Sequence, residues 1–208
     1  MPEYDADYYL NGPATGRSNY RNYSWMPDLT LPMADHLRRC LHIGDLDDVL
    51  DVGCARGYLV KALRMRGVRA FGYDTSKWAI DNCDDGVRSY VFNHMPEGQW
   101  DHIVMKDVAE HIPEGNLKTL IVNLLLAARK NLLLIVPLTK EIGYPYLREE
   151  DNSDPSHVIR WPLEAWMDFL LPLVPEGFVL TGSWHYPGLK PASSQTPKSC
   201  GFLRIHRA

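Results

Sequence analysis

The chain has 208 residues, 45% of them hydrophobic and 23% charged, a balance that fits one folded domain and excludes a disordered or fibrous chain. Its 22 Lys and Arg against 26 Asp and Glu leave a formal charge of −4, with no general attraction for phosphate backbones or anionic membranes. The longest apolar neighbourhood, "TLIVNLLLAARKNLLLIVPL", is broken by Arg129, Lys130 and two Asn, so it cannot be a transmembrane helix.

The amino terminus, "MPEYDADYYL", has neither the basic nor the apolar region of an export signal. Cys40, Cys54, Cys83 and Cys200 are scattered without CxxC spacing, as reduced thiols of a cytoplasmic protein would be. One unit over 1–208 is expected, in which a Tyr-rich leader (1–31) carrying Arg17 and Arg21 precedes the core (32–208). The leader either folds over a site or packs on the outside.

In the core, short apolar runs alternate with amphipathic segments, the pattern of an α/β sheet covered by helices on both faces. In chain order the predicted elements are a helix at Pro32–Leu41, a strand at Asp48–Gly53, a helix at Tyr58–Arg66, a strand at Arg69–Asp74 and a helix at Lys77–Asn82. Strands at Arg88–Phe92 and Asp101–Met105, a helix at Gly115–Lys130 and a strand at Asn131–Val136 follow. A helix at Pro162–Leu171 and strands at Phe178–Trp184 and Gly201–His206 complete the series. Two long connections, Pro137–Trp161 and Tyr186–Ser199, leave strands at their carboxyl ends, the edge where open parallel sheets bind ligands.

The first such edge reads "VLDVGCARGYLVKAL", a strand, a tight turn and a helix. Gly53 and Gly57 permit a turn that side chains would strain and let backbone N–H groups approach a ligand. At the end of the next strand Asp74 is spaced to accept hydrogen bonds from ribose hydroxyls. "LDVGCARG", "GYDTS" and "WDHIVMKDVAEHI", in that order, resemble the motifs of class I S-adenosylmethionine-dependent methyltransferases over roughly Asp48 to Arg207. The resemblance implies a Rossmann-like, seven-stranded, mostly parallel sheet with an antiparallel last strand, and S-adenosyl-L-methionine as cofactor. It also implies cofactor contacts from Asp51, Gly53, Cys54, Ala55, Gly57, Asp74, Thr75 and Lys106, with Ala55 standing where glycine is commoner. The adenine contacts have no evident residue.

"KDVAEHI" raises a second chemistry. If a helical turn begins at Asp107, then Asp107, Glu110 and His111 stand at i, i+3 and i+4 on one face. Two carboxylates and an imidazole there suit a divalent cation such as Mg or Mn, which can bind a substrate hydroxyl and lower its pKa. "NSDPSHVIRWPLEAW" brings His157 to the same edge as a further ligand. The alternative is a metal-free pocket in which His111, His157 or His185 accepts the proton. The pattern resembles the ExxEH of the polyhydroxybenzoate O-methyltransferases of the ubiquinone pathway and of the small-RNA terminal 2′-O-methyltransferases, with Asp107 in place of the first Glu. That resemblance implies Asp107, Glu110, His111 and His157 as metal ligands.

The expected function is methylation of a hydroxyl on a small sugar or phenolic molecule, with His111 and His157 as catalytic residues. The acidic charge argues against the RNA alternative. A metal-free small-molecule methyltransferase, or a cofactor-binding partner that has lost catalysis, would share the same motifs.

Overall fold

The computed structural model describes residues 4–184 and 198–208, so His185 and nearly all of the Tyr186–Ser199 loop lie outside the described residues. Among the described residues one sheet contains β1 (Asp48–Val52), β2 (Arg69–Tyr73), β3 (Val91–Phe92), β4 (Trp100–Lys106), β5 (Ala128–Pro137), β6 (Phe178–Ser183) and β7 (Cys200–Arg207), in the order β3-β2-β1-β4-β5-β7-β6. The pairs from β3 through β5 are parallel, and β7 runs antiparallel to both β5 and β6. The strand order reverses between β1 and β4, so the crevice at their carboxyl ends is the natural ligand site.

Central strands are apolar on both sides because both sides are covered. On one face α3 (Pro27–Leu41), which follows the short leader helices α1 (Ala6–Leu10) and α2 (Gly12–Thr15), packs with α4 (Tyr58–Met65). Leu37, Leu41 and Leu63 meet Val104, Leu133 and Ile135 there, all buried. Beyond α5 (Lys77–Asp81), the other face is covered by α6 (Glu114–Ala127) and α7 (Leu163–Leu170). Leu117, Ile121, Trp166 and Leu170 pack there on Leu50, Ile103, Leu132 and Leu134. Each fully buried Leu or Ile contributes about 2 kcal/mol.

Three elements depart from the sequence expectation for local reasons. The helix expected from Pro32 begins at Pro27, a second proline suited to a first turn, and carries Pro32 inside it. The strand expected at Arg88–Phe92 shrinks to Val91–Phe92, because Asp84 caps a 3-10 helix over Asp85–Tyr90 and accepts the Gly86 N–H at 3.0 Å. The helix expected to reach Lys130 ends at Ala127, and Ala128–Lys130 open β5. There Arg129 and Lys130 pair with Asp101 at 3.2 and 3.6 Å.

The amino-terminal edge of the sheet, opposite the crevice, holds a buried polar network. Arg204 donates to Asn131 Oδ1 at 2.6 Å, which turns the Asn131 amide nitrogen toward His102 Nδ1 at 2.8 Å. His102 is wholly buried, and its Nε2–H donates to Asp47 Oδ2 at 2.9 Å. Burial by itself would raise the Asp47 carboxyl, but Lys130, His102 and the Gly44 N–H outweigh it and hold it far below the ordinary carboxylate range.

Asp47→Ala strands a buried imidazole donor, so urea titration at neutral pH should show a loss of about 2–3 kcal/mol. The folded-state pKa lies below the unfolded one, so this stabilisation is complete above the ordinary carboxylate range and is lost as pH falls below about 4. The difference between variant and wild type should therefore close in acid.

Candidate active site

The turn after β1 runs through left-handed backbone at Gly53 (φ 81°), Ala55 (φ 48°) and Gly57 (φ 78°). A Cβ on Gly53 would lie 2.1 Å from Val108 Cγ2, in the turn after β4. Glycine is thus needed twice there, for the backbone and for the close approach of the neighbouring turn. Ala55 accepts a left-handed conformation that costs about 1–2 kcal/mol. Its N–H donates to Asp74 Oδ2 at 2.7 Å, and the Ser76 N–H donates to Asp74 Oδ1 at 2.7 Å. Asp74 therefore ties the end of β2 to the glycine turn; burial raises its carboxyl and the two N–H bonds pull it back.

Asp51, at the end of β1, is 4% exposed, and burial pushes its carboxyl up to about 7 against the opposing charge of Lys106. Lys106 also bonds the Asp107 carboxylate. Cys54 is buried with its thiol pushed up by burial, which keeps it unreactive. Thr75 is exposed, and its carbonyl accepts from Asn93 at 3.1 Å.

The leader lies over this turn. Tyr8 and Tyr9 are buried in a cluster with Ala55 and Ala79, and the Tyr9 ring stacks on Trp78 with centroids 5.5 Å apart and planes 15° from parallel. The Ser76 hydroxyl bonds the Tyr4 carbonyl, and Arg56 donates to the Tyr23 carbonyl at 3.0 Å. Arg17 pairs at 2.5 Å with Asp5 of the leader itself, and Arg21 is exposed.

The helical turn expected from Asp107 does not form. Asp107 is left-handed (φ 54°) and Val108 is neither helical nor extended (φ −136°, ψ −43°), and a single 3-10 turn then covers Ala109–His111. The cluster of potential ligands found among the described residues is Glu110, His111 and His157, whose ligand atoms lie within 4.8 Å of one another, and Asp107 is not part of it. The loop carrying His157 is stitched to this turn, since the Val158 and Ile159 N–H groups donate to the Glu110 carbonyl at 2.8 and 3.0 Å. The His111 and His157 ring centroids are 4.5 Å apart. His157 Nδ1 lies 2.9 Å from the Asp151 carbonyl, which only accepts, so the proton is on Nδ1 and the lone pair on Nε2. Burial and then the neighbouring His157 push the His111 imidazole down to about 4, leaving it neutral at physiological pH.

No sequence signal placed Ser76 and Trp78 beside the glycine turn, or Asp154 and Ser156 beside His111. "DPS" signals an Asx turn, in which Asp154 Oδ1 accepts the Ser156 N–H at 2.9 Å. Nothing in the sequence signals that this turn abuts His111.

A family model described as "Methyltransferase domain" matches residues 25–167, a span that includes both turns and the Glu110, His111 and His157 cluster. Among solved structures, magnesium protoporphyrin IX methyltransferase from Synechocystis PCC 6803 with bound S-adenosylmethionine is similar at TM-score 0.58 and 16% identity, covering 86% of this chain and 79% of that one. The putative methyltransferase solved in complex with the Trm112 methyltransferase activator of Haloferax volcanii gives 0.62 and 15%, covering 88% and 91%. A chain of the Pnkp1/Rnl/Hen1 RNA repair complex gives 0.59 and 16%, covering 85% of this chain and 41% of that one. Among curated proteins none matches the chain in sequence.

Gly53→Ala should lower unfolding free energy by about 2–4 kcal/mol in thermal or urea denaturation, combining left-handed strain with the Val108 clash. Gly67 is the control: it is left-handed at φ 79° with open space where a Cβ would stand, so Gly67→Ala should cost only the backbone part.

Proposed function

This chain belongs to the methyltransferase-domain family and is an S-adenosylmethionine-dependent methyltransferase, and from that premise we propose that it methylates a hydroxyl oxygen of a small sugar or phenolic molecule, assisted by a divalent cation. The observation that carries the proposal is the convergence of Glu110, His111 and His157 within 4.8 Å at the carboxyl edge of β4, beside the cofactor turn. The donor set fits a hard or borderline ion such as Mg or Mn with positions left open for an acceptor. Such an ion, when bound, supplies Lewis acidity that makes a hydroxyl a better nucleophile near neutral pH. The fit to the cofactor rests on the left-handed turn at Gly53, Ala55 and Gly57, the buried Asp51 beside Lys106, and Asp74 at the end of β2.

In this reading Asp51 and Lys106 frame the methionine end of S-adenosylmethionine, Asp74 takes the ribose, and the leader tyrosines exclude water. Nε2 of His111 and of His157 would hold the ion, and only in a metal-free site would one of them accept the hydroxyl proton there. Holding the oxygen in line with the methyl group supplies much of the rate. The small acceptor is favoured by the charge of −4. A cytoplasmic location is favoured by four free cysteines, and no helix among the described residues is long and apolar enough to cross a membrane. The second reading, methylation of an RNA terminus, is favoured by the likeness to the RNA repair complex.

The test is turnover against a panel of small hydroxylated acceptors and RNA oligomers, with and without chelator. Methylation of a small hydroxyl that stops on chelation and returns with Mn²⁺ is the expected result. Undiminished turnover after metal removal contradicts the metal, and methyl incorporation into RNA alone contradicts the acceptor class. His157→Ala should weaken Mn²⁺ binding by about tenfold or more while S-adenosylhomocysteine affinity, read by calorimetry, stays near wild type.

Asp51 gives a pH dependence. Its folded-state pKa, raised to about 7, means that folding disfavours its charge, so stability falls as pH rises from the ordinary carboxylate range to that value. Cofactor affinity should move the opposite way, rising through about 7 as Asp51 ionises to face the cofactor ammonium. Asp51→Asn should raise the melting temperature above neutral pH, weaken S-adenosylhomocysteine binding and flatten its pH profile in calorimetry.

A further inference from the structure

His111 is held by a residue far along the chain: its Nδ1 lies 2.8 Å from Ser156 Oγ. The same hydroxyl lies 2.5 Å from Asp154 Oδ1. An ionised carboxylate only accepts, so the Ser156 hydroxyl gives its one proton to Asp154 and offers His111 a lone pair. The imidazole must then donate Nδ1–H to Ser156 and carry its lone pair on Nε2. Asp154 is fixed from its other side, since its Oδ2 accepts from the Tyr8 hydroxyl at 2.8 Å. Asp154, Ser156 and Tyr8 are each 5% exposed, so water does not compete for these bonds. Tyr8 sits in α1, and Ser18 donates to its carbonyl at 2.5 Å, so the chain of bonds begins in the leader.

We propose that Asp154 and Ser156 are positioning residues that set the His111 tautomer and orientation, and that Tyr8 of the leader sets Asp154. Seating the leader over the cofactor turn and preparing His111 are then one event. The proposal rests on the reading of His111 as a metal ligand or proton acceptor. The loop itself does not need the Ser156 hydroxyl: its Asx turn is made by the Ser156 N–H. Deleting the hydroxyl therefore separates positioning from loop shape. Groups of this kind around metal-bound imidazoles are commonly worth 10–100-fold in affinity or activity.

The test is NMR of the full chain with isotope-labelled histidine, above the ordinary imidazole range, where the two tautomers have distinct nitrogen signatures. Wild type should show His111 wholly as Nδ1–H. Ser156→Ala should show a mixture, and Ser156→Thr, which restores a hydroxyl, should return the wild-type signature. Tyr8→Phe keeps the ring and should give a partial mixture. An unchanged Nδ1–H signature in Ser156→Ala overturns the proposal, and one in Tyr8→Phe overturns the part played by the leader. Mn²⁺ titration runs in parallel, with about a tenfold loss expected for Ser156→Ala. Wild type that fails to bind Mn²⁺ would contradict the metal reading and leave the tautomer result standing.

Discussion

Everything at the ligand edge depends on the missing side chain at Gly53. With no Cβ, the turn after β1 comes into contact with Val108 in the turn after β4, at a separation that any side chain would close to 2.1 Å. Two strand ends that are neighbours in the sheet are thus also neighbours in their loops. The first carries Asp51, Ala55 and the bonds to Asp74; the second carries Lys106, Glu110 and His111. The Glu110 carbonyl in turn captures the N–H groups of Val158 and Ile159, which brings His157 and the Asp154–Ser156 pair to the same place. The glycine turn and the cluster of Glu110, His111 and His157 are brought side by side by one steric requirement.

This edge is costly in stability. Ala55 and Asp107 are left-handed without being glycine, Asp51 is buried with its carboxyl raised to about 7, and two histidines crowd one carboxylate. Such conflicts between local preference and the fold gather where function requires them. They are offset by apolar cores on both faces of the sheet and by the network around His102 at the opposite edge, where every polar group described has its partner. One end of the sheet secures the fold and the other departs from what is most stable.

Much of this was legible in the sequence. Strands buried on both faces wrote themselves as continuous apolar runs, and the glycine spacing marked the left-handed turn that Asp74 ties to the end of β2. What the sequence could not report was backbone sign. "KDVAEHI" reads equally well as the start of a helix, but the left-handed Asp107 interrupts it, and Asp107 is not in the cluster that Glu110 and His111 form with His157. Helix propensity misled at "ARK" because Asp101 and Asp47, distant in sequence, draw Arg129 and Lys130 into β5. The leader posed two alternatives, and its contacts, such as Tyr9 on Trp78 and Tyr8 on Asp154, join it to residues far along the chain. Contacts of that separation leave no mark on one sequence.

The central claim is that the turn after β1 holds the methyl donor while Glu110, His111 and His157 meet the acceptor. A crystal structure of the protein with S-adenosylhomocysteine and Mn²⁺ tests it most directly. The account requires the cofactor along Asp51, Gly53 and Asp74 with its sulfur facing an ion held by Glu110 and the two histidine Nε2 atoms. A cofactor seated elsewhere, or a sulfur directed away from Glu110, His111 and His157, would contradict it.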